Sequence, residues 1–108
     1  MKDDWNEVFE TAHKVIDGQY KFNEPNILES IKKHIDNTYN AHYAHGKYQA
    51  TDMIVDAGHG ESFCVGNIMK YAMRYGKKDG RNVKDLLKII HYAMIAIYIY
   101  DEEQDGRS

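Results

Sequence analysis

Four polar residues of the 108-residue sequence recur at helical intervals: Asn67, Lys70, Arg74 and Lys78. On a wheel advancing about 100° per residue they share one narrow stripe. An amide beside two long cations, with a third at the helix end, suits an anion. Arginine holds phosphate in a bidentate fork and lysine acts as a point charge. Cations near a helix C-terminus also complement the helix dipole, so a solvated basic face explains them without any ligand. Val65, Ile68, Met69, Ala72 and Met73 fall opposite the stripe, and the pattern assigns them to the buried face. Asp85, Lys88 and Tyr92 form a second stripe at three- and four-residue spacing. Asp85 is placed to pair with Lys88 or with Arg74, or to stand as a base or a metal carboxylate. An ordinary salt bridge within the helix is the plainer reading of that spacing.

Other chemistry is less well served. His42, His45, His59 and Cys64 have no zinc-motif spacing, so no metal site is assigned. Gly60 and Gly66 bracket a P-loop-like interval, yet Asn67 and Ile68 follow where that loop needs Lys and Ser or Thr. Glu7 and Glu10 have the Glu-x-x-Glu spacing of all-α nucleotide pyrophosphohydrolases, but no matching Glu-x-x-Asp follows.

The elements that must position these residues read as helices. Trp5, Val8, Phe9, Ala12, Val15 and Ile16 recur at helical spacing between Asp3 and Asp17, and Gly18 stops the run. Pro25 sits where a first helical turn tolerates it. Ile27, Leu28, Ile31, Ile35 and Tyr39 then oppose Lys32, Lys33 and Asp36, which gives a second helix closing before Gly46. A short third helix spans Ala50 to Ala57. Ser62 and its neighbours open a fourth that runs to Gly76, and Lys77-Lys78-Asp79-Gly80 is a turn. Asn82 is a suitable N-cap for a fifth helix reaching about Glu103 and apolar nearly all round. Its tail, Ile95 to Tyr100, has the β-branched composition of a strand but continues the helical period. The expected fold is therefore all-α: a compact bundle of about five helices, the last one central or at an oligomer interface.

A chain of 12.6 kDa fits one domain and buries only part of its unfolded surface, so partner subunits can complete its core. Nine Tyr and five Met suit interfaces and ligand pockets, or simply a tyrosine-rich core. The net charge of −3 argues against a general DNA or RNA polymer partner, which needs a basic footprint. One cysteine, Cys64, makes neither an internal disulfide nor a thiolate cluster. Met1 to Trp5 lacks the apolar core of a secretory signal, and no apolar run approaches the roughly 20 residues that span a bilayer. These features place the protein in the cytoplasm, away from membranes.

The run Phe63-Cys64-Val65-Gly66-Asn67-Ile68-Met69-Lys70-Tyr71, followed by Arg74, Lys77-Lys78, Gly80, Asp85-Leu86, Lys88 and Tyr92, resembles a small phage-encoded family. His42-Tyr43 and Tyr48-Gln49 leading to Asp52-Met53-Ile54 match the same pattern. The family is one of P-loop-lacking, nucleotide kinase-like proteins, long catalogued as a domain of unknown function. Its best-understood relative phosphorylates deoxynucleoside monophosphates. The resemblance covers His42 to Asp101, which makes 42–101 a family-like nucleotide-binding core within a single helical domain, 1–108, and 1–41 an N-terminal helical extension. Where the family tends to have Lys and Trp, this chain has Leu87 and His91.

The resemblance implies a catalytic set of His42, Lys70, Arg74 and Asp85, with His42 at the phosphates or in proton transfer. It implies ligand contacts from Tyr43, Gly66, Asn67, Tyr71 and Lys78, with Lys70 and Arg74 shared. Lys88 and Tyr92 extend that set from the following helix. No resident cofactor is implied, and ATP would enter only as a phosphoryl donor. Two further classes compete with a kinase. One is a non-catalytic sponge that sequesters cyclic nucleotide defence signals in the infected bacterial cytoplasm. The other is a structural helical interaction module. Ile95, Ile99 and Tyr100, added to the stripe of Ile89, Ile90, Ala93, Met94, Ile97 and Tyr98, carry apolar surface around the fifth helix, so a homo-oligomer is expected.

Overall fold

A computed structural model of the protein describes residues 20–42 and 47–106. The fold is all-α, with four helices and no strand among the described residues: α1 (Glu24–His42), α2 (Lys47–Asp56), α3 (Gly60–Arg74) and α4 (Val83–Gly106). They correspond to the second to fifth helices expected from the sequence. The first expected helix, Asp3 to Asp17, lies outside the described residues. The chain divides into two compact units, Met1–Ala41 and His42–Ser108.

In the first unit, Asn23 takes a left-handed backbone (φ 61°) and turns the chain into α1. Its side-chain oxygen accepts a hydrogen bond from Asn26 Nδ2, and its carbonyl accepts from the Ile27 amide at 3.1 Å. Glu24 lies in the first turn, where its charge meets the positive end of the helix. Pro25 needs no intrahelical donor there. Asn26, Ser30 and Ile31 are buried, whereas Leu28, expected on the covered face, is 64% exposed. Lys32 and Asp36 pair at 2.9 Å one turn apart on the solvent side.

The second unit is built on an antiparallel hairpin of α3 and α4, with α2 packed against α3. Gly60 opens α3 and is buried; a methyl group built there would stand 2.6 Å from Ile99 Cδ1 and 3.1 Å from Val55 Cγ2. The lack of a side chain at Gly60 thus lets the end of α4 and the end of α2 meet the start of α3. Gly76 ends α3 in the left-handed region (φ 86°), and the Lys77 amide closes on the Arg74 carbonyl at 2.9 Å. Asp79 and Gly80 also have positive φ and fold the chain back, with Gly76 N bonded to the Gly80 carbonyl at 2.8 Å. The expected cap is present: Asn82 Oδ1 accepts from the Lys84 amide at 2.9 Å. The tail of α4 is helical through Gly106, with no strand at Ile95 to Tyr100.

Two faces differ from expectation. On α3 the buried side chains are Cys64 and Tyr71, in line with Gly60, while Val65, Met69 and Met73 are 47%, 58% and 65% exposed. The helix therefore turns its tyrosine and small residues, not its methionines, toward α4. Gly60 and Cys64 permit close approach, and the large rings of Phe63 and Tyr71 bury more area there than the methionines would. On α4 the covered residues include Asp85, Leu87 and His91. Ile99 reaches Gly60, while Met94, Ile97 and Tyr98 of the expected core-facing stripe are exposed. No helix among the described residues is long and apolar enough to cross a membrane.

Candidate functional site

The hairpin brings residues from two separate stripes onto one tyrosine. Gly60 lies level with Ile99, and the same antiparallel register sets Tyr71 beside Lys88. Lys70 Nζ stands 4.6 Å from the Tyr71 ring centroid, Lys88 Nζ 5.2 Å, and Arg74 Cζ 5.5 Å. Each distance falls within the reach of a cation–π contact. Lys70 precedes Tyr71 and Arg74 follows it by three, so α3 flanks the ring with its own cations. Lys88 arrives from α4.

Tyr92 completes the aromatic frame. It stacks on Tyr71 with centroids 6.2 Å apart and planes 14° apart, and meets Phe63 edge-to-face at 5.8 Å and 79°. Phe63 and Tyr71 are two turns apart on α3, and Tyr92 is held between them. Asn67 sits at the intervening turn, but its Nδ2 donates to the Phe63 carbonyl at 2.8 Å. That bond commits one side of the amide to its own helix.

The electrostatics are lopsided. Among the described residues no carboxylate pairs with Lys70, Arg74 or Lys88. Burial acts to raise the Tyr71 phenol, but the Lys88 and Lys70 ammoniums, by charge and by hydrogen bonding, outweigh it and hold the phenol below its ordinary value. Tyr92 is pushed the other way, by burial first and then by the neighbouring Tyr71. Two stacked phenols thus diverge, because only one of them touches the cations. A cluster of this kind suits a group of high negative charge.

The remaining expected site residues are dispersed. Asp85 is 6% exposed and forms no ion pair among the described residues, so neither Lys88 nor Arg74 claims it. Its amide bonds the Asn82 carbonyl at 2.9 Å, which ties it into the cap of α4. Lys78 is exposed in the turn between the helices. Gly66 is exposed, and a methyl group there would meet nothing within 4 Å, so no packing among the described residues requires a glycine. His42 closes α1, but its side chain, like all of Tyr43, lies outside the described residues. His45 does too. No three His, Cys, Asp or Glu side chains gather into a metal-binding group among the described residues. Cys64 is fully buried, and burial raises its thiol.

Sequence reasoning did not single out Phe63 as the second wall of the aromatic frame. The signal for it is the Phe63–Asn67–Tyr71 ridge at four-residue spacing. Leu87 and His91 are also more informative in three dimensions, since both are buried on α4, at 4% and 9% exposure.

Tyr71 and the three cations gathered on it fall within the stretch by which the chain can be classified. Residues 37–94, more than half of the sequence, match the model of a protein family of unknown function, DUF3310, and the chain belongs to that family. No curated protein and no solved structure matches it.

Proposed function

We propose that this protein binds the phosphates of a nucleotide at the α3–α4 hairpin. Its most specific activity on this reading is P-loop-independent transfer of the terminal phosphoryl group of ATP to a (deoxy)nucleoside monophosphate. The observation that carries the reading is the convergence of Lys70, Arg74 and Lys88 on Tyr71 without a carboxylate partner among the described residues. Phosphoryl transfer is largely positioning and charge stabilisation, and a cluster of cations from two rigid helices supplies both. The resemblance of His42 to Asp101 to phage-encoded, nucleotide kinase-like proteins supports the same ligand class and a setting in the infected bacterial cytoplasm. Incubation of the purified protein with ATP and each deoxynucleoside monophosphate, with and without Mg²⁺, tests it. The expected product is a nucleoside diphosphate from at least one of them; none from any removes the kinase activity.

A second reading keeps the site and drops the chemistry: a sponge that holds cyclic nucleotide defence signals intact. The burial of Asp85 and Tyr71 favours it, because the acid in the expected catalytic set is withdrawn from a ligand arriving at the surface. Denaturing a preformed complex separates the two. Ligand recovered unchanged supports the sponge, and phosphorylated or cleaved ligand supports catalysis.

A further inference from the structure

Lys70 and Tyr71 are consecutive in α3, and consecutive residues leave a helix about 100° apart. The helix alone therefore does not bring their side chains together. Lys70 is exposed, yet its Nζ bends back to 4.6 Å from the Tyr71 ring centroid. Lys88, also exposed, comes from the other helix of the hairpin to 5.2 Å. The ring they meet is held in place. Tyr71 is 7% exposed, Tyr92 stacks on it with planes 14° apart, and Phe63 braces Tyr92 edge-on. A buried, braced ring thus collects two ammoniums carried on long flexible stems.

Cation–π attraction explains an approach to the ring, but a phenylalanine would supply that as well. The hydroxyl adds an oxygen, and the charge and hydrogen bonding of both Lys88 and Lys70 act on it. Of the charged and titratable groups, Lys70 and Arg74 face Tyr71 from α3, and Lys88 and Tyr92 face it from α4. No group of α2 and no carboxylate is among them within the described residues. A lysine is a flexible point charge, and holding it before a ligand arrives removes part of the entropy that binding costs.

We propose that Tyr71 is the positioning residue of the phosphate site: its hydroxyl oxygen is the common anchor for the ammoniums of Lys70 and Lys88, and sets them together for one phosphate group. This rests on the reading of the hairpin as a phosphate site and adds to it how the cations are held. The same contact makes binding depend on the state of the phenol. A neutral phenol leaves both ammonium charges to the phosphate. A phenolate neutralises them and repels the ligand, so phosphate and phenolate compete for the same two cations.

Trace acetylation of the ligand-free protein, mapped by mass spectrometry, reads the anchor directly. In Tyr71→Phe, Lys70 and Lys88 should acetylate several-fold faster than in the wild type, with Lys77 and Lys78 unchanged. Calorimetric titration with dAMP reads the consequence. Tyr71→Phe should bind about three- to tenfold more weakly near pH 7, as the loss of one hydrogen bond requires, with unchanged helical circular dichroism. Wild-type affinity should fall as the pH rises toward 10.0, by up to about tenfold per unit, and Tyr71→Phe should lose this early fall. A merely structural ring would not move the pH profile. Should Tyr71→Phe fail to fold, the wild type decides. Inorganic phosphate added at about pH 9 should lower its phenolate absorbance, and no change would contradict the anchor. Equal acetylation rates, or the same alkaline fall in both proteins, overturn the assignment. Absence of dAMP binding to either protein removes the phosphate reading instead, and the acetylation rates then decide the hold on the lysines alone.

Discussion

Tyr71 is ordinarily the kind of residue that fills a core, and at 7% exposure it does so here. What sets it apart is the company of three cations, of which Lys88 and Lys70 favour its charged form against the burial that opposes it. A spectrophotometric titration should therefore show the Tyr71 phenol ionising early, below 10.0. That early ionisation should vanish in Tyr71→Phe and move upward in Lys88→Met or Lys70→Met. Its survival in Tyr71→Phe would assign it elsewhere. His91 provides a second pH handle. Burial holds its imidazole below 6.5, so the unfolded chain takes up a proton there before the folded chain does. The stability this contributes is fully present above about 6.5 and is lost as the pH falls through the lower folded-state value. The melting temperature should drop on acidification through that window, and His91→Gln should flatten this part of the profile. The cations and tyrosines themselves were legible in the sequence, because Lys70, Arg74, Lys88 and Tyr92 repeat at helical spacing. Their common target was not, because a wheel shows which residues share a face and says nothing of the neighbouring helix.

At the scale of the element, α3 teaches the same lesson more sharply. Hydrophobic periodicity placed Val65, Met69 and Met73 inward, and the structure leaves them exposed. Periodicity weighs residues by transfer free energy, but packing also rewards a flat approach. Gly60 and Cys64 offer that on the other face, where Tyr71 stacks on Tyr92. The boundaries of the helices fared better, since Gly76, Gly80 and Asn82 act locally: positive φ and a side-chain cap need no tertiary partner. Gly66 is the element's exception. A glycine inside a helix costs about 0.5–1 kcal/mol relative to alanine, and nothing among the described residues crowds this one. Gly66→Ala should therefore stabilise the protein by about that amount in denaturant unfolding. It should also weaken nucleotide binding if the ligand runs along the backbone one turn before Lys70. Stabilisation with full binding would return Gly66 to an incidental role.

For the molecule as a whole, the all-α class was legible because no stretch alternates in the manner of a strand. The apolar circumference of α4 hid its orientation. When every side is apolar, sequence shows that surface is in excess without showing which side. The structure assigns Ile99 to the hairpin and leaves Met94 and Ile97 exposed. The central claim remains the cation cluster as a phosphate site, and calorimetric titration of the intact protein tests it most directly. A deoxynucleoside monophosphate and its parent nucleoside are compared on the wild type, Lys70→Ala and Arg74→Ala. A hydrogen bond to a charged group contributes about 1.5–3 kcal/mol, so each substitution should weaken binding of the nucleotide roughly ten- to hundredfold, with helical content unchanged and the nucleoside bound poorly throughout. Equal affinity for nucleotide and nucleoside, or unaltered affinity in both variants, would contradict the account and leave Lys70 and Arg74 as a solvated face.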